Sequence, residues 1–234
     1  MVRWRMMEKG KVQRGCYLMW NLWSNRNSLL FENSSPPFEV VCQRVRRQVD
    51  EFSDYSRRIY GGPTKHGRAS SPRWTAPPRG VVKLNSDASL SADGWIRLGV
   101  VARDAEGRVL FSAVKRVRAY WPVEVAECKA AYMAARLAKN HGMQEVIFES
   151  DSQVVTNRLS RAAVFFSDLD AILGDVFDIC RDFISVSFSH VKRDGNSVAH
   201  NLARIVPFGV EQRWEFHCPS DVAPYVLMDT LSMD

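Results

Sequence analysis

Three acidic side chains, set at defined points of the hydrophobic pattern, constrain this chain more than any other feature. Asp87 ends the apolar run 81–87, Asp151 follows the apolar run 146–149, and Glu127 lies on a helical stretch between them. Carboxylate oxygens are the ligands that hard divalent cations prefer, and two cations held together can hydrolyse a phosphodiester. The pattern therefore predicts a metal site assembled from three separate elements.

The hydrophobic periodicity from residue 81 onward predicts an α/β domain of order β-β-β-α-β-α-α-β-α. The first three strands form an antiparallel meander, and the strand–helix–strand portion that follows requires a parallel crossover. We therefore expect a mixed five-stranded sheet with helices on both faces. The carboxyl ends of its first and fourth strands can be neighbours, so the three acidic residues can meet there. The predicted strands cover residues 81–87, 95–103, 108–115, 146–149 and 184–191.

Composition divides the chain into four segments. The first 79 residues contain 15 Lys and Arg against 6 Asp and Glu, whereas the remainder contains 17 against 20. A basic arm on a slightly acidic domain fits a polyanionic partner, and a solvated arm accounts for the charge equally well. The predicted segments are a basic helical segment at 1–60, a mobile, extended Pro-, Gly- and Ser-rich linker at 61–80, the α/β domain at 81–206, and a C-terminal tail at 207–234 that packs back on it.

Cysteine use and hydropathy limit the class of protein. The five cysteines are widely spaced and include no Cys-x-x-Cys pair, so they indicate neither a zinc site nor a disulfide framework. No apolar run reaches transmembrane length, and residues 1–10 lack the apolar core of a signal peptide. We therefore expect an intracellular protein of the nucleus or cytoplasm, monomeric and without a membrane partner.

Four motifs stand in the same order as in a known family. They are VKLNSDAS at 82–89, AECKA at 126–130, ESDS at 149–152 and VKRDGNSVAHNLA at 191–203. Together they resemble the ribonuclease H family and, more narrowly, the plant reverse-transcriptase-like domains related to retroelement ribonuclease H, over residues 80–206. The Trp-rich stretch around residues 20–31 also resembles the segment that precedes this domain in plant retroelement polyproteins.

The resemblance implies an endonuclease that cleaves the RNA strand of RNA–DNA hybrids with two Mg²⁺ ions. It implies that Asp87 bridges both ions and that Glu127 and Asp151 hold one of them, activating water and stabilising the leaving oxygen. RNA would be selected through its 2′-hydroxyl groups. The residues expected to contact the sugar–phosphate backbone are Ser86, Ala88, Ser89, Ser152 and Asn196, with further phosphate contacts from Arg161, Lys192, Arg193 and the N-terminal arm.

Two positions depart from the family pattern. Ala88 stands where Gly is common, and His200 stands where the archetypal enzymes have a fourth carboxylate. Because imidazole offers a neutral nitrogen to a cation that prefers oxygen, we expect weaker binding of one ion, a shift toward Mn²⁺ or a lower rate. Asp194 could replace the missing carboxylate, or His200 could take part in catalysis as a proton shuttle.

A second hypothesis follows from these departures. The chain could be a catalytically weak or inactive ribonuclease H-like module of retroelement origin that binds nucleic acid or a protein partner. Another nuclease built on the same sheet and a decaying retroelement fragment are further alternatives.

Overall fold

The computed structural model divides the chain into two compact units, Met1–Pro63 and Thr64–Asp234. It describes residues 9–32, 36–47, 70–161 and 168–232. In the first unit, helix α1 spans Lys9–Glu32 and helix α2 covers residues 38–47. None of the helices in the described ranges combines the length and apolar character needed to cross a lipid bilayer.

The second unit is a mixed sheet flanked by helices, as predicted. Its strands are β1 (Val82–Leu90), β2 (Trp95–Arg103), β3 (Val109–Arg118), β4 (Glu145–Ser150), β5 (Ser185–His190) and β6 (Glu211–Glu215). They lie in the order β5-β4-β1-β2-β3-β6. The pairs β1–β2, β2–β3 and β3–β6 are antiparallel, whereas β4 runs parallel to β1 and to β5.

In the described part of the second unit, five helices connect or follow these strands. They are α3 (Val123–Asn140), α4 (Gln153–Arg161), α5 (Asp168–Cys180), α6 (Ser197–Leu202) and α7 (Ala223–Leu231), with a 3₁₀ turn at Arg193–Asn196 before α6. Pro122 precedes α3, where a missing backbone N–H costs nothing. Gly142 follows it with φ of 66°, a conformation that glycine adopts without strain.

The sheet has one strand more than the five predicted. β6 comes from the C-terminal region and pairs with β3, from Phe111 opposite Glu215 to Lys115 opposite Glu211. Its sequence, EQRWE, contains a single apolar residue and so lacks the apolar pattern that predicts a strand. An edge strand with half-exposed side chains needs little apolar surface. Residues 207–232 are therefore part of the second unit, through β6 and α7.

Helices cover both faces of the sheet. Gly99 on β2 lies directly beneath α6, since a Cβ there would come within 2.6 Å of the Ala199 carbonyl oxygen. Val114 packs in the same α6 cluster. Phe111 has the opposite parity on β3, so it faces the other side, where it stacks at 4.2 Å on His141 at the end of α3.

Residues 70–80 do not form the mobile linker that their composition predicts. Trp74 is 2% exposed and donates a hydrogen bond from Nε1 to the Asn85 side chain at 3.0 Å. Ser71 forms a parallel bridge with Val191. Residues 61–69, the rest of the predicted linker, lie outside the described part of the chain.

Candidate active site

The predicted carboxylates gather where the pairing between β1 and β4 ends. β1 continues to Leu90, so Asp87 lies inside the strand and not at its end as predicted. The parallel pairing with β4 stops at Asn85 opposite Glu149. Beyond that pair the edge of β1 is free of β4, and the chain that leaves β4 reaches Asp151 at this opening.

Two helices bring further side chains to the opening. Glu127 lies in the second turn of α3, on its buried side. Asp87 is paired with Gly99 of β2, and the close approach of α6 over Gly99 carries His200 to within 2.8 Å of Asp87. The small residue on β2 thus sets the distance between this helix and the strand.

One oxygen from each of Asp87, Glu127 and Asp151 lies within 4.8 Å of the other two. Asp87 is fully buried, and Glu127 is 8% exposed. Within the described residues, Asp87 Oδ1 and Glu127 Oε2 are buried and lack a hydrogen-bond partner. Buried carboxylate oxygens without a partner are costly, and a bound cation removes that cost. The donor set therefore fits a hard divalent cation.

The pKa values of the two buried carboxyl groups reflect the same shortage of partners. Burial raises the pKa of Glu127 to about 9, the charges of Asp87 and Asp151 add to this shift, and the backbone N–H of Ala88 opposes it. Burial likewise raises the pKa of Asp87 to about 6, against the hydrogen bond from His200. A divalent cation stabilises the ionised form of each group and would reverse both shifts.

His200 contacts Asp87 rather than joining the carboxylate cluster as a ligand. Its Nδ1 lies 2.8 Å from Asp87 Oδ2, and because a carboxylate only accepts, Nδ1 carries the proton. The Arg193 guanidinium lies 3.2 Å from the His200 Nε2 acceptor and 3.3 Å from Asp151 Oδ2. Asp194, the other candidate for the fourth acidic ligand, is exposed and outside the cluster.

Two predicted substrate contacts are instead internal. Asn196 is fully buried and donates from Nδ2 to Asp151 Oδ1 at 2.9 Å and to the Ser86 carbonyl at 3.0 Å. Its Oδ1 accepts from Asn85 Nδ2 at 3.2 Å. The amide therefore holds Asp151 against β1, and the Ser86 side chain is buried beside it.

The other predicted substrate contacts lie nearer the surface. Ala88, Ser89 and Ser152 are all partly exposed. The Ser152 hydroxyl also accepts the backbone N–H of Val155 at 3.5 Å, at the start of α4. Of the expected phosphate contacts, Lys192 and Arg193 are exposed, and the side chain of Arg161 lies outside the described part of the structure.

His190 also fixes the backbone at Asp151. Its Nε2 lies 3.0 Å from the Asp151 carbonyl, and its Nδ1 lies 2.6 Å from the Ser70 hydroxyl. Both ring nitrogens are therefore engaged inside the protein.

Sequence reasoning did not identify the buried polar residues that support the site. Asn85 Oδ1 accepts from Trp74 Nε1 at 3.0 Å and from Arg103 at 3.1 Å, while Asn85 Nδ2 donates to Glu149 at 3.0 Å. Arg103 in turn donates to Asp229 of α7 at 2.7 Å. The available signal was the spacing of Asn85 and Asp87, which places both on one face of a strand.

Residues 85–206, just over half of the chain, match the model of a family described as reverse transcriptase-like. The RNase H1 of the halophilic archaeon Halobacterium salinarum NRC-1 is 23% identical with a TM-score of 0.50, over 53% of this chain and 95% of that chain. The N-terminal RNase H domain of rv2228c from Mycobacterium tuberculosis, solved as a fusion with maltose-binding protein, is also 23% identical, with a TM-score of 0.49 over 53% and 91%. A search of curated proteins found no match. The archaeal structure shows that the second unit has the ribonuclease H fold.

Proposed function

The chain belongs to the reverse transcriptase-like family, and from this premise we propose that it is a ribonuclease H-type protein that hydrolyses the RNA strand of RNA–DNA hybrids. The carboxylate cluster supports this proposal most directly, because two of its buried oxygens have no hydrogen-bond partner in the described part of the chain. Asp87, Glu127 and Asp151 would hold a divalent cation. An all-oxygen donor set favours Mg²⁺, with Mn²⁺ as the alternative.

The residues around the cluster have distinct tasks in this proposal. A cation held by Asp87, Glu127 and Asp151 would supply an activated water and would stabilise charge on the phosphate oxygens. Asn196 and His190 orient Asp151 from both its side-chain and its backbone end. His200 donates a hydrogen bond from Nδ1 to Asp87 Oδ2 and so fixes the orientation of that carboxylate. Arg193, whose side chain is 63% exposed, would contact a phosphate of the substrate.

The proposed substrate is a polyanion, and the charge of the chain supports this choice. The 15 Lys and Arg of the first 79 residues can contact phosphates without regard to sequence. Since such contacts release counterions, binding of a hybrid should weaken steeply with salt.

Hybrid cleavage tests the proposal directly. A labelled RNA–DNA hybrid is incubated with the full chain in Mg²⁺ or Mn²⁺, beside the variant Asp87→Asn and the control Asp93→Asn, which changes an exposed turn residue. We expect cleavage of the RNA strand by the wild type and the control, and a loss of about 100-fold or more in Asp87→Asn. Equal rates for Asp87→Asn and the wild type would refute the assignment, as would no cleavage by folded wild type with either ion.

A second candidate function, binding of nucleic acid with weak or no turnover, is favoured by one observation. His200, which stands where the resemblance implies a fourth carboxylate, contacts Asp87, and the Arg193 guanidinium contacts Asp151. This candidate predicts salt-sensitive hybrid binding without cleavage. The variant His200→Asp separates the two, because it should restore or raise cleavage if a missing ligand limits the rate, and should leave the rate unchanged or lower if His200 has its own role.

A further inference from the structure

Arg193 lies at the mouth of the carboxylate cluster, between buried anions and solvent. Its Nη1 is 3.3 Å from Asp151 Oδ2, and its Nη2 is 3.1 Å and 3.2 Å from the two ring nitrogens of His200. The Arg193 side chain is 63% exposed, whereas that of Asp151 is 10% exposed. An exposed cationic side chain thus contacts a nearly buried carboxylate.

The contacts of the carboxylate oxygens show which oxygen the Arg193 guanidinium occupies. Asp151 Oδ1 accepts from Asn196, and Asp151 Oδ2 faces Arg193. Asp87 Oδ2 faces His200, while Asp87 Oδ1 and Glu127 Oε2 find no hydrogen-bond partner among the residues that the structure describes. A divalent cation that binds all three carboxylates must therefore compete with Arg193 for Asp151.

Close packing restrains the backbone of the turn that contains Arg193. Displacement of the guanidinium therefore involves the side chain. Arg193 opens the 3₁₀ turn that ends at Asn196. Within that turn, Gly195 packs so closely on the upstream segment that a Cβ would lie 2.8 Å from the Arg73 carbonyl carbon and 3.0 Å from the Trp74 nitrogen. This packing holds the turn in position, whereas the long, exposed Arg193 side chain can rotate away from Asp151.

We propose that Arg193 is a built-in counter-cation that pairs with Asp151 when no metal ion is bound and is displaced when one binds. The inference rests on the proposed function, because it concerns the same carboxylate cluster. Arg193 lowers the affinity of the site for divalent cations, since metal binding must break its ion pair and proceed against its positive charge. Once displaced, the guanidinium becomes available to a phosphate group at the mouth of the site.

Divalent-ion binding in the absence of nucleic acid tests the inference. Mn²⁺ binding to the full chain is measured by electron paramagnetic resonance and by calorimetry for the wild type, Arg193→Gln and Lys192→Gln. The control Lys192→Gln removes the same charge from the neighbouring exposed position. We expect Arg193→Gln to bind Mn²⁺ about three- to tenfold more tightly, and the control to change affinity less than twofold.

The variant Glu127→Gln separates failure of this inference from failure of the proposed function. If the wild type binds Mn²⁺ through Glu127 but Arg193→Gln binds no more tightly than Lys192→Gln, the counter-cation role is wrong and the metal site stands. If Glu127→Gln leaves Mn²⁺ binding unchanged in both backgrounds, the carboxylate cluster is not the metal site and both proposals fall. Tighter binding by Arg193→Gln that Glu127→Gln abolishes supports both.

Discussion

Two polar clusters share the same face of β1, two residues apart, yet their charges are balanced in opposite ways. In the paired cluster, two cations meet two anions around a central amide: Lys83, Arg103, Glu149, Asp229 and Asn85. In the carboxylate cluster, three anions converge: Asp87, Glu127 and Asp151. Both clusters are largely buried, so burial alone does not distinguish a structural cluster from a functional one.

The difference lies in how each anion is compensated. In the paired cluster, Glu149 is 3.0 Å from Lys83, and Asp229 is 2.7 Å from Arg103. In the carboxylate cluster, the positive charge comes from the exposed Arg193 at 3.3 Å. A buried charge with an internal partner has its desolvation cost offset within the fold, whereas a buried charge without one is destabilising and persists where a ligand supplies the missing partner.

The largest expected effect comes from breaking the paired cluster at Asp229. The variant Asp229→Ala leaves Arg103, which is 1% exposed, without its ion-pair partner. We expect the free energy of unfolding to fall by about 3–5 kcal/mol, because an unpaired buried charge carries its full desolvation cost. Chemical denaturation followed by circular dichroism measures the change.

Two further variants sharpen this result. Asp221→Ala removes an exposed acidic residue just before α7 and should change stability by less than about 0.5 kcal/mol. The double variant Arg103→Met/Asp229→Leu removes both charges and should recover much of the loss. Equal stabilities for Asp229→Ala and Asp221→Ala would contradict the assigned role of the buried pair.

A smaller effect is expected where the two clusters join, at Asn196. The variant Asn196→Ala removes the hydrogen bonds to Asp151, to the Ser86 carbonyl and from Asn85. Since residues that orient metal ligands typically contribute 10- to 100-fold to affinity, we expect Mn²⁺ affinity to fall by about tenfold or more. Calorimetric titration of the folded variant measures this loss.

The matched control is Asn201→Ala, which removes an amide of the same helix region that contacts the Ser197 carbonyl at 2.8 Å. It should retain the wild-type Mn²⁺ affinity. If both variants bind Mn²⁺ alike, Asn196 stabilises the fold without positioning Asp151.

The carboxylate cluster could be predicted because its members follow local patterns. Asp87 and Asp151 each follow a short apolar run, and Glu127 lies early on the intervening helix, so strand and helix periodicity was enough to bring them together. The same periodicity predicted the mixed sheet. Which oxygens lack partners could not be predicted, because that depends on side-chain directions fixed only in the folded protein.

The paired cluster escaped prediction because its contacts are distant in sequence and its residues look ordinary alone. Arg103 and Asp229 are 126 positions apart, and the latter lies in a segment that composition marks as a tail. Trp74 lies in a stretch of Gly, Pro and Ser that indicates a linker, although its indole is buried against Asn85. Composition reports average solvation and does not identify the single anchoring side chain.

The smallest effect tests the carboxylate cluster from the opposite direction, because removing the Glu127 carboxyl group should stabilise the metal-free protein. Burial raises the pKa of Glu127 to about 9, so without a metal ion the folded state resists its ionisation while the unfolded state does not. The wild type therefore loses stability as the pH rises from about 4.5 toward 9. Glu127→Gln lacks this carboxyl group and should avoid that loss.

We expect Glu127→Gln, in the presence of a chelator, to be about 1–2 kcal/mol more stable than the wild type near pH 5.5 and nearly equal to it near pH 4, with a difference that grows as the pH rises further. The control Glu124→Gln, in the exposed first turn of α3, should show no such growth with pH. Adding Mg²⁺ near pH 8 should reverse the order, because only the wild type gains stability from binding an ion at all three carboxylates. Denaturation curves at each of these pH values measure the differences in the free energy of unfolding. A stability gain that is independent of pH would show that Glu127 is an ordinary buried side chain and not a carboxyl group whose ionisation requires a bound cation.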